Sequence, residues 1–156
     1  MKMVIQRVTW ARVLVGAEVV GEIGPGLLVF LCIEKGDEKE VLDYWIQRLP
    51  VLRVFGDAED KMNRSLPDIG GSVLVVSQFT LVARLHKKGR RPSFEGAEAP
   101  ERAEALVRYF VEGLRRQGVP VAEGRFGALM AVELLNDGPV TFIVDEPPRQ
   151  AGRGEP

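Results

Sequence analysis

The chain has 156 residues, a formal net charge of −1 and a single cysteine, Cys32. This length favours one domain, one cysteine excludes an intrachain disulfide framework, and a charge near zero excludes bulk electrostatic attraction to nucleic acid. The apolar run 27–33 is too short to span a bilayer, and residues 1–7 lack the apolar core of a signal peptide. We therefore expect a soluble cytoplasmic protein with no membrane partner.

The N-terminal third of the chain is dominated by predicted strands. They are short segments rich in β-branched residues and bounded by glycine or proline: 2–9, 11–15, 18–23, 27–33 and 51–55. Between the last two, apolar residues recur at helical spacing over 41–49, which predicts a helix. Asp37 can serve as the N-cap of that helix, and Pro50 limits it.

A predicted strand over 72–79 ends in a cluster of small polar groups. Its apolar part is typical of a strand buried on both faces. The cluster places two hydroxyls, an amide and an aromatic ring side by side on Ser77, Gln78, Phe79 and Thr80. A rigid strand that delivers such groups is suited to hold a functional site. The alternative is that Ser77 and Thr80 merely end the strand and cap the next turn.

The densest positive charge follows in a predicted loop over 82–99. Its cationic residues are candidates for RNA binding: Arg84, Lys87, Lys88, Arg90 and Arg91. A solvated loop without a partner is the alternative interpretation.

The C-terminal part is predicted to hold the strongest helix and three more strands. The helix begins at Pro100 and stops at Gly118, and the strands cover 119–122, 128–135 and 140–144. The fold class is therefore α+β: a single domain of mostly antiparallel or mixed β-sheets covered by two main helices. We expect this domain to span 1–146 and the Pro-, Gly- and charge-rich tail 147–156 to be disordered.

Most familiar catalytic devices are missing from the sequence. The single histidine, His86, lies in the basic loop and not on a rigid element, and one cysteine cannot form a zinc cluster. Phosphate-loop and dinucleotide-binding fingerprints are also missing, so neither a metal nor a cofactor is expected. Ser77 and Thr80 have no evident general base, so an enzyme would act by positioning, by backbone hydrogen bonds and through a group borrowed from its substrate.

A second motif, Asn136-Asp137-Gly138-Pro139-Val140-Thr141, joins the last two predicted strands. Asp-Gly predicts a tight hairpin turn, but the proline that follows cannot donate a ladder hydrogen bond. Two interpretations remain open. One is a rigid cis Gly-Pro unit that presents its carbonyl oxygens, and the other is an ordinary turn that contains proline.

Together the two motifs resemble those of a known enzyme family. Ser77-Gln78-Phe79-Thr80 resembles the SQxT motif of D-aminoacyl-tRNA deacylases, and residues 136–141 resemble their NxGPxT motif. Similar segments flank them in the same order, at 5–8, 70–76, 91–94 and 124–127, so the resemblance covers residues 1 to about 145. Two departures are an aspartate, Asp60, where the family pattern has glycine, and a longer tail.

The resemblance implies a homodimer that hydrolyses the ester between a D-amino acid and the terminal adenosine of tRNA. Mischarged glycyl-tRNA would be a further substrate, and DNA would not be a partner. Residues 77–80 would surround the ester, with backbone N–H groups as an oxyanion hole and the ribose 2′-hydroxyl of the substrate assisting. A cis peptide between Gly138 and Pro139 would enter from the partner subunit and exclude L side chains. Arg7 would fix that peptide, and Asn136 and Thr141 complete the implied substrate-binding set.

Two alternatives stay open at this point. One is a non-catalytic tRNA-binding module that uses residues 84–91. The other is a hydrolase with Thr80, or Ser77, as a covalent nucleophile.

Overall fold

The computed structural model of the chain describes residues 1–86 and 89–146. Predictions for Lys87, Lys88 and the tail 147–156 lie outside these residues. The main elements in chain order are β1 (Lys2–Val15), β2 (Glu18–Ile23), β3 (Gly26–Cys32), α1 (Lys39–Arg48), β4 (Phe55–Gly56), β5 (Met62–Arg64), β6 (Ser72–Ser77), α2 (Pro100–Arg116), β7 (Val121–Glu123) and β8 (Ala131–Asp145). Short 3₁₀ turns occupy Leu49–Val51, Pro67–Ile69 and Phe79–Val82.

The fold is organised around β1, the centre of a mixed sheet. One side of β1 pairs antiparallel with β2 and β3, and the other side pairs antiparallel with β8. The sheet continues from β3 to β6 and β7 through parallel pairs. It curls until β2 approaches β7, where a Cβ atom on Gly21 would lie 2.2 Å from the carbonyl oxygen of Glu123. The predicted α+β class is confirmed.

The core lies on both faces of this sheet. Val73 and Val75 of β6 join the larger cluster, which also holds the apolar sides of α1 and α2. Leu74 and Val76 point to the opposite face and join the smaller cluster. Because side chains alternate along a strand, a continuous apolar run is required here. The prediction of a strand buried on both faces is thus confirmed, and this burial makes β6 a rigid base for the polar residues at its end.

The second predicted helix is also confirmed. Pro100 occupies the first turn of α2, where its missing N–H costs nothing, and Gly118 follows the helix at φ +82°. The two helices pack closely because Gly113 has no side chain: a Cβ atom there would lie 2.3 Å from Cδ1 of Ile46. None of the described helices is long and apolar enough to cross a membrane.

The prediction for Asp37 is wrong. The N-cap of α1 is Glu38, and Asp37 is fully buried. Its carboxylate accepts hydrogen bonds from the α-ammonium group of Met1 at 2.8 Å and from the N–H of Glu34 at 2.7 Å. A buried positive charge needs a buried negative partner, so Asp37 is engaged in charge compensation and not in capping.

The strand predicted over 51–55 is also wrong. The chain forms a 3₁₀ turn over Leu49–Val51, and only Phe55–Gly56 pairs as a strand. The carbonyl of Val54 accepts a hydrogen bond from the guanidinium of Arg7 at 2.8 Å. The carbonyl of Val54 is therefore bonded to a side chain and not to the backbone of a neighbouring strand.

Candidate active site

The first motif lies where β6 ends. The strand stops at Ser77, two residues before the predicted end, because residues Phe79–Val82 wind into a 3₁₀ turn. Gln78 links the two elements with φ −143° and ψ 76°, and its N–H donates to the carbonyl of Leu31 at 2.8 Å. The polar groups of the motif are thus presented at the end of a buried strand.

Three residues of this motif line a cavity of about 610 Å³: Ser77, Gln78 and Phe79. Most of the remaining lining comes from two other segments, residues 97–100 at the start of α2 and residues 126–130 before β8. The volume is in the range of small-molecule sites. Sequence reasoning missed these two walls. The one available signal was the resemblance at 124–127, which ends at the second wall.

Thr80, the fourth residue of the motif, is exposed. Its hydroxyl accepts a hydrogen bond from Nε2 of Gln78 at 2.5 Å. An amide N–H cannot take a proton from this hydroxyl, so the contact orients Thr80 without activating it.

Two ionisable groups near the motif, Cys32 and Glu98, are poor nucleophiles or bases. Cys32 donates to the carbonyl of Phe79 at 3.5 Å, and burial raises the pKa of its thiol to about 11. Glu98 lines the cavity, and its carboxylate accepts hydrogen bonds from the N–H of Ala99 at 2.7 Å and from Arg102 at 2.6 Å. These bonds, that from Ala99 first, lower the pKa of Glu98. A neutral thiol and a tightly held carboxylate do not activate a hydroxyl.

The basic loop, residues 84–93, is closed where its two ends meet, which we call its neck. Arg84 and Ser93 exchange two backbone hydrogen bonds, of 2.9 and 3.1 Å. Arg84, Arg90 and Arg91 are exposed, and His86 is exposed within the loop. The loop therefore begins and ends at one point, four residues after Thr80 along the chain.

The second motif forms a bulge and not a hairpin turn. The two strands predicted at 128–135 and 140–144 form a single strand, β8, which begins at Ala131, and its two halves pair antiparallel with β1. Asn136 pairs with Val8 and Thr141 with Gln6, so residues 137–140 stand opposite one residue of β1, Arg7. The 14 residues of β1 offer one continuous partner to both segments, which overrides the local turn preference of Asp-Gly.

Side chains around the bulge hold its shape. Nδ2 of Asn136 donates to the carbonyl of Arg7 at 3.2 Å and to that of Val140 at 3.0 Å. Nε of Arg7 donates to the carbonyl of Asp137 at 2.8 Å. Nε2 of Gln6 donates to the hydroxyl of Thr141 at 3.1 Å. The side chains of Arg7, Asn136 and Thr141 are therefore engaged in hydrogen bonds within the chain that stabilise the bulge.

The tip of the bulge is exposed, and the peptide bond between Gly138 and Pro139 is cis. Neither residue lines the cavity within the described part of a single chain. Within one chain, the tip of the second motif therefore lies outside the cavity that the first motif lines. No group of three or more His, Cys, Asp or Glu residues among 1–86 and 89–146 could hold a metal ion.

Comparisons with known proteins agree over the length of the fold. The family described as D-Tyr-tRNA(Tyr) deacylase matches residues 4–145. Proteins named D-aminoacyl-tRNA deacylase from Symbiobacterium thermophilum and Pelobacter propionicus are 52% and 54% identical over 145 residues, 93% of this chain and 95% and 99% of theirs. One from Salmonella enteritidis is 56% identical over 138 residues, 88% of this chain and 94% of its own.

Two solved structures share the fold. One, named c-Myc DNA Unwinding Element Binding Protein, has a TM-score of 0.86 and 41% identity, over 94% of this chain and 99% of that one. Another, described as a probable eukaryotic D-amino acid tRNA deacylase, has a TM-score of 0.78 and 21% identity, over 93% and 98%. At that identity the second likeness shows the fold alone. The family match and the relatives more than half identical show that this chain belongs to the D-aminoacyl-tRNA deacylases, hydrolases that act on an ester bond.

Proposed function

We propose that the chain hydrolyses D-aminoacyl-tRNA, for example D-tyrosyl-tRNA, and mischarged glycyl-tRNA. Free amino acid and tRNA are the products, and the reaction takes place in the cytoplasm, where charged tRNA is used. The observation that carries this proposal is the cavity at the end of β6, which has the first motif as one wall. Its size suits an aminoacyl group together with its nucleoside.

Catalysis in this proposal depends on positioning and on backbone donors. The first N–H groups of a helical turn have no acceptor within the turn, so those of Phe79 and Thr80 are suited to hold a developing oxyanion. Positioning contributes about 7–11 kcal/mol to such reactions, and one oxyanion donor about 3–4 kcal/mol. These contributions support a useful rate on an activated ester without a protein nucleophile.

The 2′-hydroxyl of the terminal ribose assists the reaction in this proposal. Three observations support it: the hydroxyl of Thr80 contacts an amide, the pKa of Cys32 is raised to about 11, and Glu98 is held by two donors. The alternative of Thr80 as covalent nucleophile lacks a base at the required place.

The active protein is proposed to be a homodimer whose sites are shared. Two observations support this arrangement. Within the described residues β8 pairs along one side only, and its exposed residues include Leu135 and Ile143. The tip of the bulge is exposed as well. In the dimer, Gly138 and Pro139 enter the partner's cavity, where their carbonyls read the α-carbon and exclude L side chains.

The test is deacylation of matched D- and L-tyrosyl-tRNA, with glycyl-tRNA as a third substrate. We expect release of D-tyrosine and of glycine, and no release of L-tyrosine. Equal rates on both enantiomers would reject the chirality proposal, and no release from any substrate would reject the activity.

A non-catalytic nucleic-acid-binding module is the second candidate function. The exposed arginines of the basic loop favour it, and one solved relative is named for binding a DNA element. Binding of charged tRNA with the ester left intact in the same assay would support this candidate.

A further inference from the structure

Two aromatic rings connect the cavity with the basic loop. Phe79 lines the cavity, yet 56% of its surface is exposed, so it lies at the rim. Phe94 packs against it edge to face, with ring centroids 5.1 Å apart and planes at 71°. Such a pair contributes about 0.5–1.5 kcal/mol beyond area burial, which favours this arrangement of the two rings. The proposed deacylation site uses the cavity side of Phe79 and leaves Phe94 without a role.

The position of the pair along the chain brings positive charge next to it. Phe94 directly follows Ser93, which closes the neck of the loop with Arg84. Arg90 and Arg91 are exposed a few residues before it. Paired aromatic rings near exposed arginines in the chain are the combination with which proteins bind unpaired nucleotides: rings stack on bases, and the charges attract phosphates.

The wall at 126–130 does not offer this combination among the residues that the structure describes. Its aromatic ring, that of Phe126, packs against the larger core cluster, and its most exposed apolar side chain is that of Leu129, at 94%. The nearby Arg125 pairs with Glu18 at 3.5 Å, so its charge is partly neutralised. An RNA chain that extends out of the cavity would therefore contact an aromatic ring and exposed arginines on the side of Phe79.

We propose that Phe79 and Phe94 form a stacking platform for the unpaired nucleobase that precedes the terminal adenosine of the substrate. This inference rests on the proposed function, because it takes the terminal nucleoside and its ester to occupy the cavity. The chain of the substrate then passes the rim at Phe79, and its phosphates face the loop. Its penultimate base stacks on the ring of Phe94, and because the two ring planes lie at 71° it meets Phe79 at a steep angle. Stacking accepts any base, so the platform adds affinity without reading sequence.

Kinetics on two substrates tests the platform. One substrate is a D-tyrosyl acceptor-arm RNA hairpin with its unpaired 3′ end, and the other is D-tyrosyl-adenosine, which lacks the penultimate nucleotide. We expect Phe94→Leu to raise KM for the hairpin about 5- to 100-fold with kcat unchanged, as loss of one stacked base implies. On D-tyrosyl-adenosine the same variant should match the unmodified protein. Phe94 is the better site to change, since Phe79 also lines the cavity.

Tyr44→Leu is the matched control. Tyr44 is 42% exposed and also belongs to an edge-to-face pair, with Trp45 at 5.5 Å, but it lies on α1. Tyr44→Leu should change neither KM nor kcat for either substrate. Light scattering should show the same assembly for both variants and the unmodified protein.

Fluorescence gives a direct readout of stacking. The hairpin carries 2-aminopurine as its penultimate base and D-tyrosine in a non-hydrolysable amide linkage. Binding to the unmodified protein and to Tyr44→Leu should quench the fluorescence, and Phe94→Leu should lose most of the quenching.

Three outcomes would overturn the platform: equal loss on both substrates, quenching that survives Phe94→Leu, or a change of assembly in that variant. Each would mean that Phe94 only supports the cavity or the fold. Failure of the unmodified protein to hydrolyse either substrate is a different result, since it would reject the proposed function itself.

Discussion

Gly138 is the residue with the least room in the bulge. A Cβ atom there would lie 2.0 Å from Oδ1 of Asn136 and 2.5 Å from the nitrogen of Val140. Gly138→Ala must therefore displace the amide of Asn136, which bridges the carbonyls of Arg7 and Val140, and must also shift the backbone at Val140. We expect deacylation of D-tyrosyl-tRNA to fall at least about tenfold, while the free energy of unfolding falls by about 1–3 kcal/mol, the usual range for one substitution, and the chain stays folded.

Gly24→Ala is the control for this change, since no atom lies within 4 Å of a Cβ placed there. Rate measurements and urea unfolding of both variants decide the matter. Full activity in Gly138→Ala would show that the shape of the bulge is unimportant.

Thr80 is the residue that separates the two mechanisms. If it contributes only a hydrogen bond, Thr80→Ala should cost about 1 kcal/mol, a few-fold in kcat. A substrate ending in 2′-deoxyadenosine and charged on its 3′-hydroxyl should bind but react far more slowly. Both are measured by single-turnover deacylation.

The covalent alternative predicts the reverse pattern for Thr80. Turnover would disappear in Thr80→Ala with folding intact, and the deoxy substrate would react normally. A trapped aminoacyl ester on Thr80 would decide for that alternative.

At the scale of elements, the turn after β3 joins the chain start to one wall of the cavity. The α-ammonium group of Met1 is fully buried and donates to Glu34 at 2.8 Å, to Asp37 at 2.8 Å and to the carbonyl of Glu146 at 2.7 Å. The same turn holds the wall through backbone bonds from Lys35 to Gly96 at 2.9 Å and from Glu98 to Ile33 at 3.0 Å. The ion pair between Met1 and Asp37 thus stabilises the turn that holds residues 96–98 at the cavity.

Asp37→Asn keeps the size of the side chain and removes its charge. We expect the free energy of unfolding to fall by about 3–5 kcal/mol, because one partner of a buried pair is lost. Glu34→Gln should cost less, since that side chain is 18% exposed. Urea unfolding measures both changes. Equal midpoints for the two variants would contradict the assignment of Asp37 as the main partner.

At the scale of the whole molecule, mixing two impaired variants tests whether the site is shared between subunits. Ala128→Trp fills the cavity from its second wall, and Gly138→Ala reshapes the bulge. If the bulge acts in the partner's cavity, mixing the unfolded variants in equal amounts and refolding them should restore about a quarter of the original activity. Half of the dimers are then mixed, and each has one complete site. No recovery, with dimers seen by light scattering, would place both motifs in one chain's site.

RNA binding is a property of the surface and should depend on salt. If the basic loop contacts about three phosphates, affinity should fall about 20- to 40-fold between about 50 and 200 mM salt. Replacing Arg90 and Arg91 with Gln should reduce the salt slope by about one for each lost contact. Arg108→Gln, a 70% exposed arginine on α2, is the control.

Competition with duplex DNA in the same titration tests the expectation that DNA is not a partner. Affinity that ignores salt and the two substitutions would show that the loop is a solvated surface only.

Local patterns of the sequence determined the parts of the fold that depend on neighbouring residues. The apolar run of β6 requires burial on both faces wherever the strand is placed, and proline and glycine mark the ends of α2 in any context. The two motifs were visible in the same way, and they pointed to the family. The wall at 97–100 had no such pattern, and the resemblance at 124–127 reached only the start of the wall at 126–130. Both segments become walls only when the sheet brings them to the end of β6.

Tertiary structure alone decided the form of the second motif and the role of Asp37. Asp-Gly favours a hairpin locally, but β1 pairs with both halves of β8, and many ladder hydrogen bonds outweigh one turn preference. Asp37 is a good N-cap by type, yet the buried ammonium of Met1 lies 2.8 Å away and needs its charge. In both cases a partner distant in sequence, which no local window contains, supplied the larger free energy.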